Sequence, residues 1–189
     1  KKEMVLGMIN STRPQTVWDV GANQGVFSRL GDKNVAYLDL DIDPAAIEKN
    51  YLEIKESRRT NILPLKFDFN NPSPALGVGN DERLSLFERQ TPDVVLFLAL
   101  IHHLVIVYKV PFKKIAEVLT RLSPAVVLEF VLPEDTQVQK LIKTRDNADF
   151  EYSQEIFEKT FSEYFEFAEK MQIPDSKRLL YLMKRKPHK

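Results

Sequence analysis

The sequence predicts an α/β fold: a doubly wound, mostly parallel, seven-stranded sheet with helices on both faces and a C-terminal antiparallel hairpin. Three observations predict it. Val17-Trp18-Asp19-Val20 is a short apolar run that ends in a glycine-punctuated turn, as a buried strand feeding a helix does. Asp93 to Leu100 is almost unbroken apolar sequence, the mark of a central parallel strand covered on both faces. Phe165-Glu166-Phe167-Ala168 and Leu179-Leu180-Tyr181-Leu182-Met183, separated by Pro174-Asp175-Ser176, read as two strands joined by a turn.

Taken in order, Val5, Leu6, Met8 and Ile9 form a rough helical pattern that Arg13-Pro14 ends before the first strand. After the turn, Val35 to Asp41 reads as a second strand, and Asp43-Pro44 as the N-cap and first residue of a helix with Ile47, Tyr51 and Ile54 on one face. Asn61 to Leu65 is a weaker strand whose proline suggests an imperfect ladder at its start. Asn70 to Asn80 concentrates asparagine, proline and glycine in a loop, and Asp81 to Gln90 follows as a short charged helix. This insert leaves the carboxyl end of the third strand, where ligands bind in such folds, so it either covers a ligand or decorates the surface. Pro111 opens an amphipathic helix with Phe112, Ile115, Leu119 and Leu122 inward. Ala125 to Leu132 is a buried strand interrupted only by Glu129. Asp135 and Ser153 are N-caps for helices that turn Val138, Leu141 and Ile142, and then Ile156, Phe157 and Phe161, inward.

The chemistry is concentrated at the first turn, Gly21-Ala22-Asn23-Gln24-Gly25. Glycine there permits left-handed dihedrals and close approach of the backbone to a ligand, and free N–H groups at a helix start suit an anionic or carboxylate-bearing ligand. The same turn also serves simply to connect a strand to a helix. About 20 residues on, the second strand ends in Asp39-Leu40-Asp41-Ile42-Asp43, where a nucleotide-binding βαβ unit places an acid on ribose hydroxyls. A dinucleotide site would need glycine where Asn23 and Val26 stand, to admit a pyrophosphate. The ligand indicated is one without pyrophosphate.

Asp19 to Gly25 with Asp41-Ile42-Asp43-Pro44 resembles the first two motifs of the class I S-adenosylmethionine-dependent methyltransferases. The match continues in Lys66-Phe67-Asp68-Phe69-Asn70 and in Pro92-Asp93-Val94-Val95-Leu96 followed by Ile101-His102-His103-Leu104, in the family's order. The resemblance implies a Rossmann-like sheet closed by the C-terminal hairpin, with S-adenosylmethionine as cofactor. It places Asp41 on the ribose, Gly21, Ala22, Asn23 and Gly25 against the amino-acid end, and Asp68 with Phe69 around adenine, with Asp19, Ile42 and Leu98 completing the set. In that family a helix such as the first one lies over the cofactor pocket; covering a sheet edge is its other natural role.

Methyl transfer from a sulfonium disperses positive charge, so catalysis comes mostly from holding donor and acceptor in line, worth up to about 7–11 kcal/mol. A base is needed where the acceptor must lose a proton. His102 and His103, the only histidines outside the tail, stand where a substrate would arrive and are the catalytic candidates; packing or capping a helix start accounts for them as well. Glu129 inside an apolar strand must be paired or lie at the site mouth, because an isolated buried carboxylate is costly. The fourth motif lacks the Asn/Asp-Pro-Pro-Tyr/Phe run with which family members hold planar nitrogen, which argues against DNA bases and protein glutamine as acceptors.

Ile101 to Leu104, Val110-Pro111, Glu129-Phe130-Val131, Asp135 to Val138, Leu141 and Arg145-Asp146 further resemble a narrower bacterial group labelled as related to nodulation proteins, in which this domain is similar to the C-terminal part of a longer chain. Leu132-Pro133-Glu134 departs from that group's Pro-Lys, which bears on acceptor choice. Glu129, Asp135 and Arg145 are the substrate-side candidates, with an ion pair, a helix cap and a surface salt bridge as their structural alternatives.

With 189 residues, 43% of them hydrophobic, the chain fits a single domain, residues 1–189, or the C-terminal part of a larger protein. Lys+Arg 27 balances Asp+Glu 27, so no global charge advertises nucleic acid or an anionic membrane. The absence of cysteine excludes disulfides, thiolate metal sites and a cysteine nucleophile, and favours the cytoplasm; no metal is expected. The leading expectation is a methyltransferase acting on a small-molecule acceptor without membrane or nucleic-acid partners. A non-catalytic S-adenosylmethionine-binding or interaction module is the alternative, and a nicotinamide-dependent oxidoreductase survives only on the shared βαβ outline.

Overall fold

A computed structural model describes residues 1–143 and 151–187. Its centre is a seven-stranded sheet in the order β3-β2-β1-β4-β5-β7-β6, with β1 Thr16–Val20, β2 Ala36–Asp41, β3 Ile62–Lys66, β4 Val94–Phe97, β5 Ala125–Val131, β6 Phe165–Gln172 and β7 Arg178–Arg185. The first five strands run parallel, and β7 lies antiparallel between β5 and β6. The α/β class, the doubly wound order and the closing hairpin are those expected from the sequence.

Alternation along the strands divides the core between two faces. Trp18, Val20, Val95, Phe97, Val126, Leu128 and Phe130 look toward α5 (Phe112–Leu122) and α7 (Gln154–Ser162). Val17, Val94, Leu96, Val127, Leu180 and Leu182 look toward α1 (Lys2–Thr12), whose Val5, Met8 and Ile9 are buried against them. The remaining helices are α2 Val26–Leu30, α3 Pro44–Glu56, α4 Leu86–Arg89 and α6 Thr136–Lys143, with a π-helical turn over His103–Val107. Among the described residues no helix is long and apolar enough to cross a membrane.

Several local expectations are corrected. The inward face of α3 is Ala46, Asn50 and Ile54, while Tyr51 is about half exposed, because the Asn50 amide reaches a buried acid rather than solvent. The insert forms α-helix over Leu86–Arg89, with a 3-10 turn at Val78–Asn80: Ser85 and Glu88 close a capping box that starts the α-helix there, and an isolated bridge pairs Leu76 with Arg83 ahead of it. β4 stops at Phe97 because the chain turns through Ala99 at φ 51. Pro64 sits inside β3 rather than at its start; β3 is an edge strand, whose outer side makes no ladder. Both hairpin strands extend further, to eight residues each.

Candidate active site

The carboxyl ends of β1, β2 and β4 open into two cavities that share Gly21 and Leu98 and so form one groove. The first, about 280 Å³, is walled by Leu40, Asp41, Ile42, Asp68, Phe69 and Leu98, and His103 and Tyr108 close its far side. The second, about 370 Å³, is lined by Asp19, Gly21, Ala22, Asn23 and Phe27, with Lys1 over it.

The turn between β1 and α2 is locked by its own amides. Gly21 (φ 82) and Ala22 both donate to the Leu40 carbonyl, at 2.8 and 3.1 Å. The Asn23 N–H (φ 51) donates to Asp41 Oδ2 at 2.7 Å, and the Gly25 N–H to the Ala22 carbonyl at 2.9 Å. These N–H groups are therefore engaged within the protein, contrary to the expectation of free donors for an anion. Gly21 faces the groove. Gly25 does not: at φ 65 it lies beneath Asn50 and Asp39, which a Cβ would strike. Its role in this structure is to let α2 and α3 close on the sheet.

Asp41 joins the two halves of the site. Its Oδ2 accepts from Asn23, its Oδ1 from the Asp43 N–H at 2.9 Å, and each oxygen keeps a second lone pair toward the groove. Asp43 in turn caps α3 by accepting from the Ala45 N–H at 2.9 Å. Neighbouring it on β2, Asp39 is fully buried and accepts from Ser28 Oγ at 2.6 Å and Asn50 Nδ2 at 2.7 Å, while Arg29 donates to Asn50. Burial nonetheless raises its carboxyl above the ordinary range, against the pull of Ser28 and Asn50.

Asp19 is the electrostatic anomaly. It is 1% exposed, sits in register with Asp39, and its Oδ2 has no hydrogen-bond partner although Asp19 lines the second cavity. Burial, together with the neighbouring Asp39 and Asp41 carboxylates, pushes its pKa well up, with Lys1 opposing. A buried carboxyl left without a donor is uncommon and marks a place where a cationic ligand group would relieve it.

The two histidines separate. His102 is 3% exposed, its Nδ1 has no partner, and burial, then the positive charges of His103 and Arg178, lowers its pKa to about 3. The His103 ring centroid lies 4.3 Å from that of His102, with the planes tilted by 47°, but His103 lines the first cavity, and partial burial lowers its pKa too. Both rings are neutral near pH 7, and of the two His103 is the one that lines the groove.

Glu129 and Asp135 line neither of these cavities. Fully buried Glu129 pairs through Oε1 with Arg178 Nη1 at 3.2 Å and through Oε2 with Lys1. Asp135 accepts from Arg178 Nε at 3.1 Å and from the Gln137 N–H at 2.8 Å. The structure thus gives these two acids the ion-pair and cap roles named as their alternatives. Arg145 lies outside the described residues. Leu40, Phe67, Ala99, Leu100, Leu104 and Tyr108 line the groove without having been singled out from the sequence. Their only signal was position, at or beyond the carboxyl ends of β2, β3 and β4.

No known family profile matches the chain. It is 34% identical over 187 residues to nodulation protein NoeA of Rhizobium meliloti (strain 1021), covering 98% of this chain and 39% of NoeA, so it spans well under half of that relative. Among solved structures it resembles the N-methyltransferase NodS of Bradyrhizobium japonicum in complex with S-adenosyl-L-homocysteine, at TM-score 0.69 and 13% identity over 97% of this chain and 85% of NodS. Magnesium protoporphyrin IX methyltransferase of Synechocystis, also with that product bound, superimposes at TM-score 0.64 and 12% identity over 98% of this chain and 82% of the enzyme. Together the sheet order, the groove at the strand ends and these similarities make the chain a homologue of part of NoeA that has the α/β fold of these methyltransferase structures.

Proposed function

We propose that this chain is the S-adenosylmethionine-binding, catalytic methyltransferase domain of a longer bacterial protein, acting in the cytoplasm on a small-molecule acceptor. The observation that carries the reading is the Asp19 carboxyl, buried, unpartnered and lining the cavity on one side of Gly21, while Asp41 lines the cavity on the other. An amino-acid ammonium group satisfies the first and a pair of ribose hydroxyls the second, and the chain between them in such a ligand is the sulfonium that supplies the methyl group. That NodS and the protoporphyrin enzyme bind S-adenosylhomocysteine supports the same ligand here.

The protein's part is positioning. Asp41 fixes the ribose through lone pairs its backbone donors leave free, and Ile42, Phe69 and Leu98 offer an apolar slot for a flat ring, with Asp68 in the same wall. Gly21 allows the ligand to cross from one cavity to the other against bare backbone. His103, neutral and lining the groove, takes the proton of a hydroxyl or amine acceptor at one ring nitrogen; His102 stays uncharged behind it. The balanced charge of the chain supports a small molecule rather than a nucleic acid as acceptor.

The test is calorimetric titration of the purified chain with S-adenosylhomocysteine, with NAD as control. Micromolar binding of the first, lost in Asp19→Asn, is expected; at 100 times its dissociation constant the ligand should also stabilise the fold by about 2.7 kcal/mol. A folded protein that takes up neither S-adenosylhomocysteine nor S-adenosylmethionine overturns the reading.

A further inference from the structure

Beside the groove lies a third cavity of about 270 Å³, enclosed between the insert and α5. Phe69 and Leu104 separate it from the groove, lining both. Its own walls are Phe87 of α4 and Ile115 and Val118 of α5. Phe87 is held there by an aromatic cluster, with its ring centroid 5.8 Å from Phe67, 6.2 Å from Phe69 and 6.5 Å from Trp18. Of the insert only Asn70 also lines the groove; the rest builds this second, mostly apolar space next to it.

Two cations guard the mouth. Lys114 and Arg121 lie with Val118 along one stripe of α5, line this cavity, and also line the open cleft beyond it. Both are exposed, and among the described residues neither makes an ion pair or a side-chain hydrogen bond. The nearby acids Glu117 and Glu163 line the open cleft and not this cavity, and Glu117 accepts from the Tyr164 hydroxyl at 3.4 Å. An apolar slot with two unpaired cations at its exit is complementary to a molecule with an apolar body and one anionic head.

We propose that this cavity is a second binding site, for a small aromatic carboxylate whose ring system enters the slot edge-on to Phe69 and Phe87 and whose carboxylate lies between Lys114 and Arg121. Its volume, near the lower end of the roughly 300–1,000 Å³ of ligand cavities, suits one fused ring pair. An occupant would touch the reverse side of Phe69 and Leu104, which wall the groove, so the site is placed to act as an effector site. The proposal stands on this cavity alone and does not depend on the methyl-transfer reading.

The experiment is calorimetric titration of the whole chain with 1-naphthoate, with its neutral isostere 1-naphthalenemethanol, and with octanoate. Naphthoate should bind, and the alcohol and octanoate should each bind about tenfold more weakly, for want of the charged head and of the ring respectively. Lys114→Ala/Arg121→Ala, surface changes that spare the core, should weaken naphthoate about tenfold and leave the alcohol unchanged. Val118→Trp, checked for folding by its melt, should abolish both by filling the slot. No binding by the folded wild type, equal affinity for naphthoate and alcohol, or an unaltered naphthoate affinity in the double variant overturns the site. Equal binding of octanoate overturns the aromatic assignment.

Discussion

The Asn23 N–H lies 2.7 Å from Asp41 Oδ2, so the acid that ends β2 is also a structural strut of the turn that ends β1. Two sequence motifs separated by 18 residues are thereby one mechanical unit. Asp41→Ala orphans both the Asn23 and the Asp43 amides, and should lower the unfolding free energy by about 1–2 kcal/mol as well as remove S-adenosylhomocysteine binding. Urea melts alongside calorimetry check this. Lost binding with unchanged stability would mean that Asp41 does not hold the turn.

The two glycines of the turn should fail in different ways when changed to alanine. At Gly25 a Cβ meets Asn50 and Asp39 inside contact distance at φ 65, so the Ser28-Asp39-Asn50 network must open around a buried carboxylate. A loss of about 3–5 kcal/mol follows. At Gly21 the nearest side-chain atom is Leu100 Cδ2 at 3.7 Å, so only the φ of 82 is costly, about 1–2 kcal/mol, while the new methyl intrudes on the groove. Denaturant melts should rank Gly25→Ala far below Gly21→Ala, and cofactor affinity of the folded Gly21→Ala protein should drop at least tenfold. Equal melts would contradict the packing described for Gly25.

Arg178 bridges Glu129 and Asp135, with Lys1 the further partner of Glu129. Removing Arg178 leaves the wholly buried Glu129 carboxylate with Lys1 as its remaining cation and Asp135 with the Gln137 amide. Arg178→Met should therefore cost about 3–5 kcal/mol, and the added change Glu129→Gln should recover a good part of it. If the double variant is no more stable than the single, the charge of Glu129 is not the source of the loss.

The succession of strands and helices, the hairpin and the acids at the strand ends were legible because each rests on a local signal: an apolar run, a turn residue, a proline. What stayed hidden depends on partners distant in the chain. Asn50 on α3 reads as a polar surface residue until Asp39, 11 positions earlier, is found beneath it. Gly25 looks equivalent to Gly21, since spacing cannot say which of two glycines faces a ligand and which faces a side chain. Likewise His102 and His103 are indistinguishable in sequence, and only the π-helical turn buries one while presenting the other. Glu129 reads in sequence as either paired or at the site mouth, and its partner Arg178 lies 49 residues away on β7, beyond any periodicity.

That division of the histidines has a pH signature. In the unfolded chain an imidazole titrates near 6.5, whereas folded His102 resists protonation down to about pH 3 because burial, His103 and Arg178 all disfavour its charge. A depressed folded pKa contributes fully above pH 6.5 and is lost as pH falls from 6.5 toward 3, since there the unfolded state binds the extra proton. The loss approaches about 1.4 kcal/mol per pH unit once the unfolded histidine is fully charged. His103 acts in the same direction, and Asp135, whose carboxyl is held low by the Gln137 amide and Arg178 against the effect of burial, adds acid sensitivity as pH falls through the ordinary carboxylate range; Asp19 and Asp39, whose carboxyls burial raises, act in the opposite direction. Urea melts at pH 7.5, 6.5, 5.5 and 4.5 should show a stability-versus-pH slope in His102→Asn that differs from the wild type's by nearly one proton between 6 and 4.5, a difference from which the unchanged Asp19 and Asp39 cancel. An unchanged slope in that variant would mean that His102 titrates normally in the fold, and with it would go the distinction between a neutral imidazole held behind the groove and the one, His103, that is free to take a proton from an acceptor.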